Sequence, residues 1–129
     1  MKRTLGGIAI VVALAGIAVA RAEIVVAGQA PDPKLAATGK KLYTTYKCDK
    51  CHTIAGRGTK KPNGALDSVG AKVSAADIKK WLTATSEMEA KLEKPPKEAD
   101  SMTKALKTKG IEPGEVDALV AYLLTLNKK

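Results

Sequence analysis

The residues able to do chemistry in this chain are concentrated in one pentapeptide, Cys48-Asp49-Lys50-Cys51-His52. Cys48 and Cys51 are the only cysteines, and His52 is the only histidine. Residues three and four apart share one side of a helical turn, so both sulfurs and the imidazole face the same object. Cys-x-x-Cys-His is the arrangement that attaches a c-type haem. Each thiol forms a thioether with one vinyl group, and the imidazole reaches the iron from below. Asp49 and Lys50 point away and need no special identity. Three other uses of the pair fit less well. A structural zinc site needs four ligands, and the chain has three Cys and His residues in all. A thioredoxin-like pair expects a βαβ setting, which the sequence lacks. A plain disulfide suits an exported protein but gives His52 no role.

A haem iron held by His52 raises the question of its sixth ligand. A second histidine from the same chain is excluded. Methionine is the natural partner, because Met/His ligation is a standard electron-transfer pair that raises the potential. Met1 belongs to a segment read below as removed, which leaves Met88 and Met102. Met88 stands seven residues after Trp81 and four before Leu92, so it also extends an apolar helical stripe. Met102 has a stripe with Ala105 and Leu106, but it follows Pro95-Pro96 in a polar stretch where a buried face is less expected. Local physics leans to Met102, with Met88 as the alternative.

The elements that must position these groups fit one small domain of 129 residues. Aromatic residues make up 3%, with no Phe, so a cofactor would supply apolar bulk that the side chains do not. Asp32-Pro33 reads as an N-cap and first helical residue, and a helix is expected from Pro33 to Lys47, leading into Cys48. Residues 53–73, rich in Gly, Lys and Ser, show no apolar period and read as a long loop wrapping the cofactor. Ser74-Ala75-Ala76-Asp77 resembles a capping box with Asp in place of Glu. Ile78, Trp81, Leu82 and Thr85 follow at helical spacing, in a helix that ends before Pro95-Pro96. A further helix is expected over Ala99–Lys109, stopped by Gly110. The last starts near Glu112-Pro113 and carries Val116, Leu119, Val120, Leu123 and Leu124 on one face. The fold class is all-α.

The N-terminus has the form of an export signal. Lys2 and Arg3 precede an apolar run from Leu5 to Ala20, and Ala20-Arg21-Ala22 is a small-x-small cleavage site. The run is short against the about 20 apolar residues of a spanning helix, so removal of residues 1–22 is expected rather than an uncleaved anchor, leaving a domain over 23–129. Without Lys2, Arg3 and Arg21 the 22 basic residues fall to 19 against 13 acidic ones, a net charge of +6. Such a surface suits acidic protein partners and weak contact with anionic membranes. Nucleic acid does not fit, because no aromatic residues interleave with the basic ones.

Taken together these residues resemble a class I monohaem cytochrome c of the small bacterial, periplasmic c553/c6-like type. The resemblance spans about residues 35–127. It rests on Gly39-Lys40-Lys41-Leu42-Tyr43, Cys48–His52, Pro62-Asn63-Gly64, Ile78-Lys79-Lys80-Trp81-Leu82 and Glu115–Leu123. It implies first and last helices crossing beside one covalent haem c, with Gly39 and Tyr43 against Leu119 and Tyr122. It also implies that the Pro62 carbonyl accepts a hydrogen bond from His52 Nδ1, and that Trp81 lies at the haem edge or packs in the core. Many members have Met-Pro at the distal position, whereas this chain has Met102-Thr103. The segment Met102–Lys107 is nevertheless similar to the distal segment of cytochromes c553. The implied function is an exported, periplasmic carrier that shuttles single electrons between redox proteins of a respiratory chain. The resemblance implies an electron-transfer protein and not an enzyme. The alternative is a haem peroxidase or a haem-based ligand-binding protein with an open or displaceable distal site.

Overall fold

The computed structural model describes residues 30–59 and 64–128. The expected signal segment, residues 1–22, therefore lies outside the described residues. Six α-helices run in the order α1 (Pro33–Thr45), α2 (Val69–Lys72), α3 (Ala75–Thr83), α4 (Thr85–Ala90), α5 (Met102–Lys107) and α6 (Pro113–Leu124). Among the described residues extended pairing is limited to two isolated bridges, Thr53 with Ala65 and Ile54 with Arg57. The fold is all-α, as the sequence implies.

Helix α1 starts where Asp32 accepts from the backbone N–H of Lys34 at 2.8 Å and of Leu35 at 2.9 Å, with Pro33 in the first turn. Its buried residues are Ala36, Gly39 and Tyr43, one stripe at helical spacing. The helix stops at Thr45, two residues earlier than expected. Lys47 is left-handed, with φ 52°, and this residue turns the chain sharply into Cys48.

Helix α6 is fixed at its start by a capping box between Glu112 and Glu115. It buries Val116, Ala118, Leu119, Val120, Ala121 and Leu123, more than a single face, as suits a helix packed on several sides. Helix α1 crosses it so closely that a Cβ on Gly39 would sit 1.9 Å from the Ala118 carbonyl oxygen and 2.8 Å from Tyr122 Cβ. Beside the crossing the rings of Tyr43 and Tyr122 meet edge to face, with centroids 5.8 Å apart. On another side of α6, Ile78 of α3 joins Val116, Val120 and Leu123 in a core that Leu66, Val69, Val73 and Leu82 extend.

Three more expected elements differ. The loop over 53–73 contains α2, which forms because Gly70 lies against the end of α6: its N–H donates to the Leu126 carbonyl at 2.9 Å. The helix expected over Ala99–Lys109 is shorter. Glu98–Asp100 is a single 3-10 turn, and α5 begins only at Met102, where the Ser101 hydroxyl accepts from the Lys104 N–H at 3.3 Å. Helix α3 ends at Thr83, and Ala84 separates it from α4, which then ends at Ala90.

The α1–α6 crossing makes a direct prediction. Gly39→Ala places a methyl group on backbone atoms that cannot turn aside. It should lower the stability of the folded chain by at least about 2 kcal/mol, read by denaturant unfolding. A loss below the error of the measurement would show that the crossing is looser than this geometry.

Candidate functional site

The turn that carries the pentapeptide is built by backbone hydrogen bonding. Residues Cys48–Lys50 form a 3-10 turn, and the Cys48 carbonyl accepts from the N–H groups of both Cys51 (3.1 Å) and His52 (3.0 Å). The expected helical turn is therefore present, with both thiols free: Cys48 half-buried and Cys51 exposed. Burial pushes the Cys48 thiol above its ordinary value, with Lys109 opposing. That is the reverse of the lowered thiol of a redox-active pair.

The chain after His52 folds back to support it. Thr53 N–H donates to the Gly64 carbonyl at 3.0 Å, Leu66 N–H to the Thr53 carbonyl at 2.9 Å, and Thr59 N–H to the Asp49 carbonyl at 2.8 Å. Gly58, at φ 109°, passes so near that a Cβ would sit 2.2 Å from the His52 carbonyl oxygen. Only glycine fits such a position without strain. The phenol of Tyr43 donates to the same carbonyl at 3.4 Å.

His52 Nδ1 lies 3.0 Å from the Gly64 carbonyl oxygen. A carbonyl only accepts, so Nδ1 carries the proton. Burial pushes the imidazole below its ordinary pKa, against the opposing effect of the Gly64 carbonyl. The ring is neutral at pH 7, and its Nε2 lone pair is available to a metal. Among the described residues the Gly64 carbonyl stands where the resemblance implied the Pro62 carbonyl. The Thr53–Ala65 bridge carries the buried Gly64 carbonyl alongside the ring, and Pro62 lies outside the described residues.

Two long-range contacts fasten the chain just ahead of Cys48. The Tyr46 hydroxyl donates to Glu115 Oε2 at 2.5 Å, and the same oxygen accepts from Glu112 N–H at 2.9 Å. Lys109 Nζ donates to the Tyr46 carbonyl. The hydrogen bond to Glu115 is the main reason the Tyr46 phenol is pushed up to about 12, and the same bond lowers the Glu115 carboxyl.

Trp81, Met88 and Met102 lie on α3, α4 and α5, which pack in sequence, and all three are half-buried. Met88 sits inside α4 with its N–H donating to the Ala84 carbonyl at 3.2 Å. Met102 is the first residue of α5, and its N–H donates to Glu89 Oε1 at 2.6 Å. Burial acts to raise the Glu89 carboxyl, but hydrogen bonds from Thr103, Ser101 and Met102 outweigh it and hold it below the ordinary carboxylate range. Sequence reasoning reached Gly64 only as part of Pro62-Asn63-Gly64, and missed Tyr46, Glu115, Lys109 and Glu89. Tyr46 pairs with residues 63 and 69 positions away, a separation that no local pattern signals.

The donor set fits a covalently attached haem: two unpaired thiols on one turn and a neutral imidazole with its outer nitrogen anchored. Among the described residues no three His, Cys, Asp or Glu side chains cluster as a metal site, so the ligands of a structural zinc are not assembled. The family model described as cytochrome c matches residues 36–127. Comparison with curated proteins and with solved structures gives no significant match.

The Tyr46–Glu115 bond has a pH signature. The lowered Glu115 carboxyl contributes stability above its unfolded pKa of about 4.3 and loses it as pH falls. The raised Tyr46 phenol contributes below its unfolded value of about 10 and loses it as pH rises towards about 12. Tyr46→Phe should therefore melt below the parent protein by a margin that is full between about pH 5 and pH 10 and shrinks on both sides. A margin that does not vary with pH would mean that lost packing, not the hydrogen bond, is responsible.

Proposed function

This chain belongs to the cytochrome c family of haem-binding electron carriers, and we propose that it is an exported monohaem member that shuttles single electrons between redox proteins. In this reading Cys48 and Cys51 hold one haem c through thioethers, and His52 Nε2 is the proximal iron ligand. Met102 is the distal ligand, with Met88 as its competitor. When bound, the haem supplies an iron that takes up and releases one electron. The observation that carries the reading is the His52–Gly64 hydrogen bond. It fixes the tautomer, turns Nε2 outward and makes the ring a better donor to iron. With His52 and a methionine of this chain as the residues that would hold the iron, both would be retained on reduction and oxidation, and little reorganisation would accompany electron transfer. Trp81, on α3 next to the helix of Met88, is assigned to the haem edge.

Export rests on residues 1–22 acting as a signal peptide and leaving a domain over 23–129, with the periplasm as destination. No helix among the described residues is long and apolar enough to cross a membrane. The net charge of +6 left after removal of the signal supports acidic docking surfaces on the donor and acceptor, with weak contact to anionic membranes in addition.

The test is the ferric spectrum of the purified holoprotein. The long-wavelength band of methionine–iron ligation should be present, lost in Met102→Ala and retained in Met88→Ala. Loss in Met88→Ala instead would transfer the role to that residue. A high-spin wild-type spectrum that shifts with peroxide or carbon monoxide would replace the carrier by the peroxidase or ligand-binding alternative.

A further inference from the structure

Glu89 is a buried carboxylate, 9% exposed, and a buried carboxylate is tolerated only where donors surround it. Its donors all come from one short segment on the far side of Pro95-Pro96. Oε2 accepts from the hydroxyls of Ser101 (2.9 Å) and Thr103 (2.7 Å). Oε1 accepts from the N–H groups of Met102 (2.6 Å) and Thr103 (3.4 Å). An ionised carboxyl is an acceptor at about four lone-pair positions, and these four donors use that capacity.

Ser101, Met102 and Thr103 are half-buried, and residues 91–95 leading towards them are exposed. The Glu89 carboxylate, presented by α4, bonds three consecutive residues centred on Met102. The departure at position 103 takes on a physical meaning. Thr103 supplies two of the four donors, one from its backbone and one from its hydroxyl, and a proline there would supply neither.

We propose that Glu89 is the positioning residue for the distal ligand, clamping Ser101–Thr103 to α4 so that the Met102 thioether is held ready for the iron. The inference rests on Met102 being that ligand. A neutral thioether is a weak competitor against water or an added nitrogen base, so its hold depends on a preorganised segment. Loss of the partners that orient a metal ligand typically costs ten- to a hundredfold in affinity. Here that loss should emerge as easier displacement of the methionine.

The experiment uses the full-length holoprotein. Imidazole is titrated into the ferric form of Glu89→Ala, Glu89→Gln and Thr103→Pro while the methionine–iron band is followed. Amide exchange at Met102 and Thr103 is measured in the ferrous form. Glu89→Ala should weaken the band, raise imidazole affinity about ten- to a hundredfold and speed exchange at Met102. Glu89→Gln, which keeps one acceptor oxygen, should fall between. Thr103→Pro removes two donors at a first-turn position that tolerates proline, and should raise imidazole affinity with Glu89 intact. It decides the matter if the Glu89 variants do not yield holoprotein. Ile78→Val, which weakens the α3–α6 core and removes none of the donors to Glu89, should leave imidazole affinity unchanged and so separates positioning from general loss of stability. Unchanged imidazole affinity in Glu89→Ala, or in Thr103→Pro where that variant decides, would overturn the clamp. The ligand reading would survive that result if Met102→Ala still abolishes the band. Retention of the band in Met102→Ala would instead overturn the ligand reading, and with it the assignment of Glu89 to the ligand.

Discussion

The close approach of α1 to α6 is the constraint on which the rest of this structure depends. It exists because Gly39 has no side chain: the Ala118 carbonyl and Tyr122 Cβ occupy the space a Cβ would need. With the helices at that distance, Tyr43 reaches Tyr122 on one side and the His52 carbonyl on the other. The end of α1 is then near enough for the Tyr46 hydroxyl to find Glu115 on the first turn of α6. The Cys48–His52 turn is thus held at two points, through Glu115 of α6 ahead of the cysteines and by Tyr43 of α1 behind them. Burial pushes the Tyr43 phenol far above its ordinary value, so it stays a neutral donor at neutral pH.

The two sides of the site are held by different physics. On the His52 side, position is set by backbone groups with fixed geometry. The Gly64 carbonyl accepts from both Thr53 N–H and His52 Nδ1, and Gly58 lets the loop lie close. Removing any one side chain leaves most of that scaffold standing. On the Met102 side the segment buries no residue of α5 and is held by a carboxylate from another helix. Hydrogen bonds to a charged acceptor are about twice as strong as neutral ones, so one residue can replace a packed face. The arrangement is economical but depends on a single group.

What the sequence made legible follows the same division. Asp32-Pro33 and Glu112-Pro113 mark helix starts because capping chemistry is local, and both helices begin where those residues stand. Ser74 caps α3 through the Asp77 N–H, although the Asp77 carboxylate accepts from the Ser74 hydroxyl rather than completing a capping box. The Cys48–His52 turn was readable from spacing alone. The long loop hid α2, because a four-residue helix has no period and forms only against the end of α6. The break at Ala84 was also hidden: the residue has high helix propensity. The turn coincides with Thr85, whose hydroxyl donates to the Trp81 carbonyl at 2.8 Å while the residue is buried. Gly64 as acceptor and Glu89 as clamp are tertiary facts. Glu89 pairs with residues 12 to 14 positions later, across a proline pair that erases any helical phase between them.

Local stability should be uneven in consequence. Helix α6 carries six buried residues and contacts α1, α2 and α3, so it opens only with the whole fold. Helix α5 carries none and is joined to α4 mainly through hydrogen bonds that water can replace. Opening of the Ser101–Thr103 segment is therefore expected as a local event, while His52 shares the protection of the α1–α6 pair. Opening at Ser101–Thr103 and loss of the fold become separable, and the hold on that segment depends on one carboxylate.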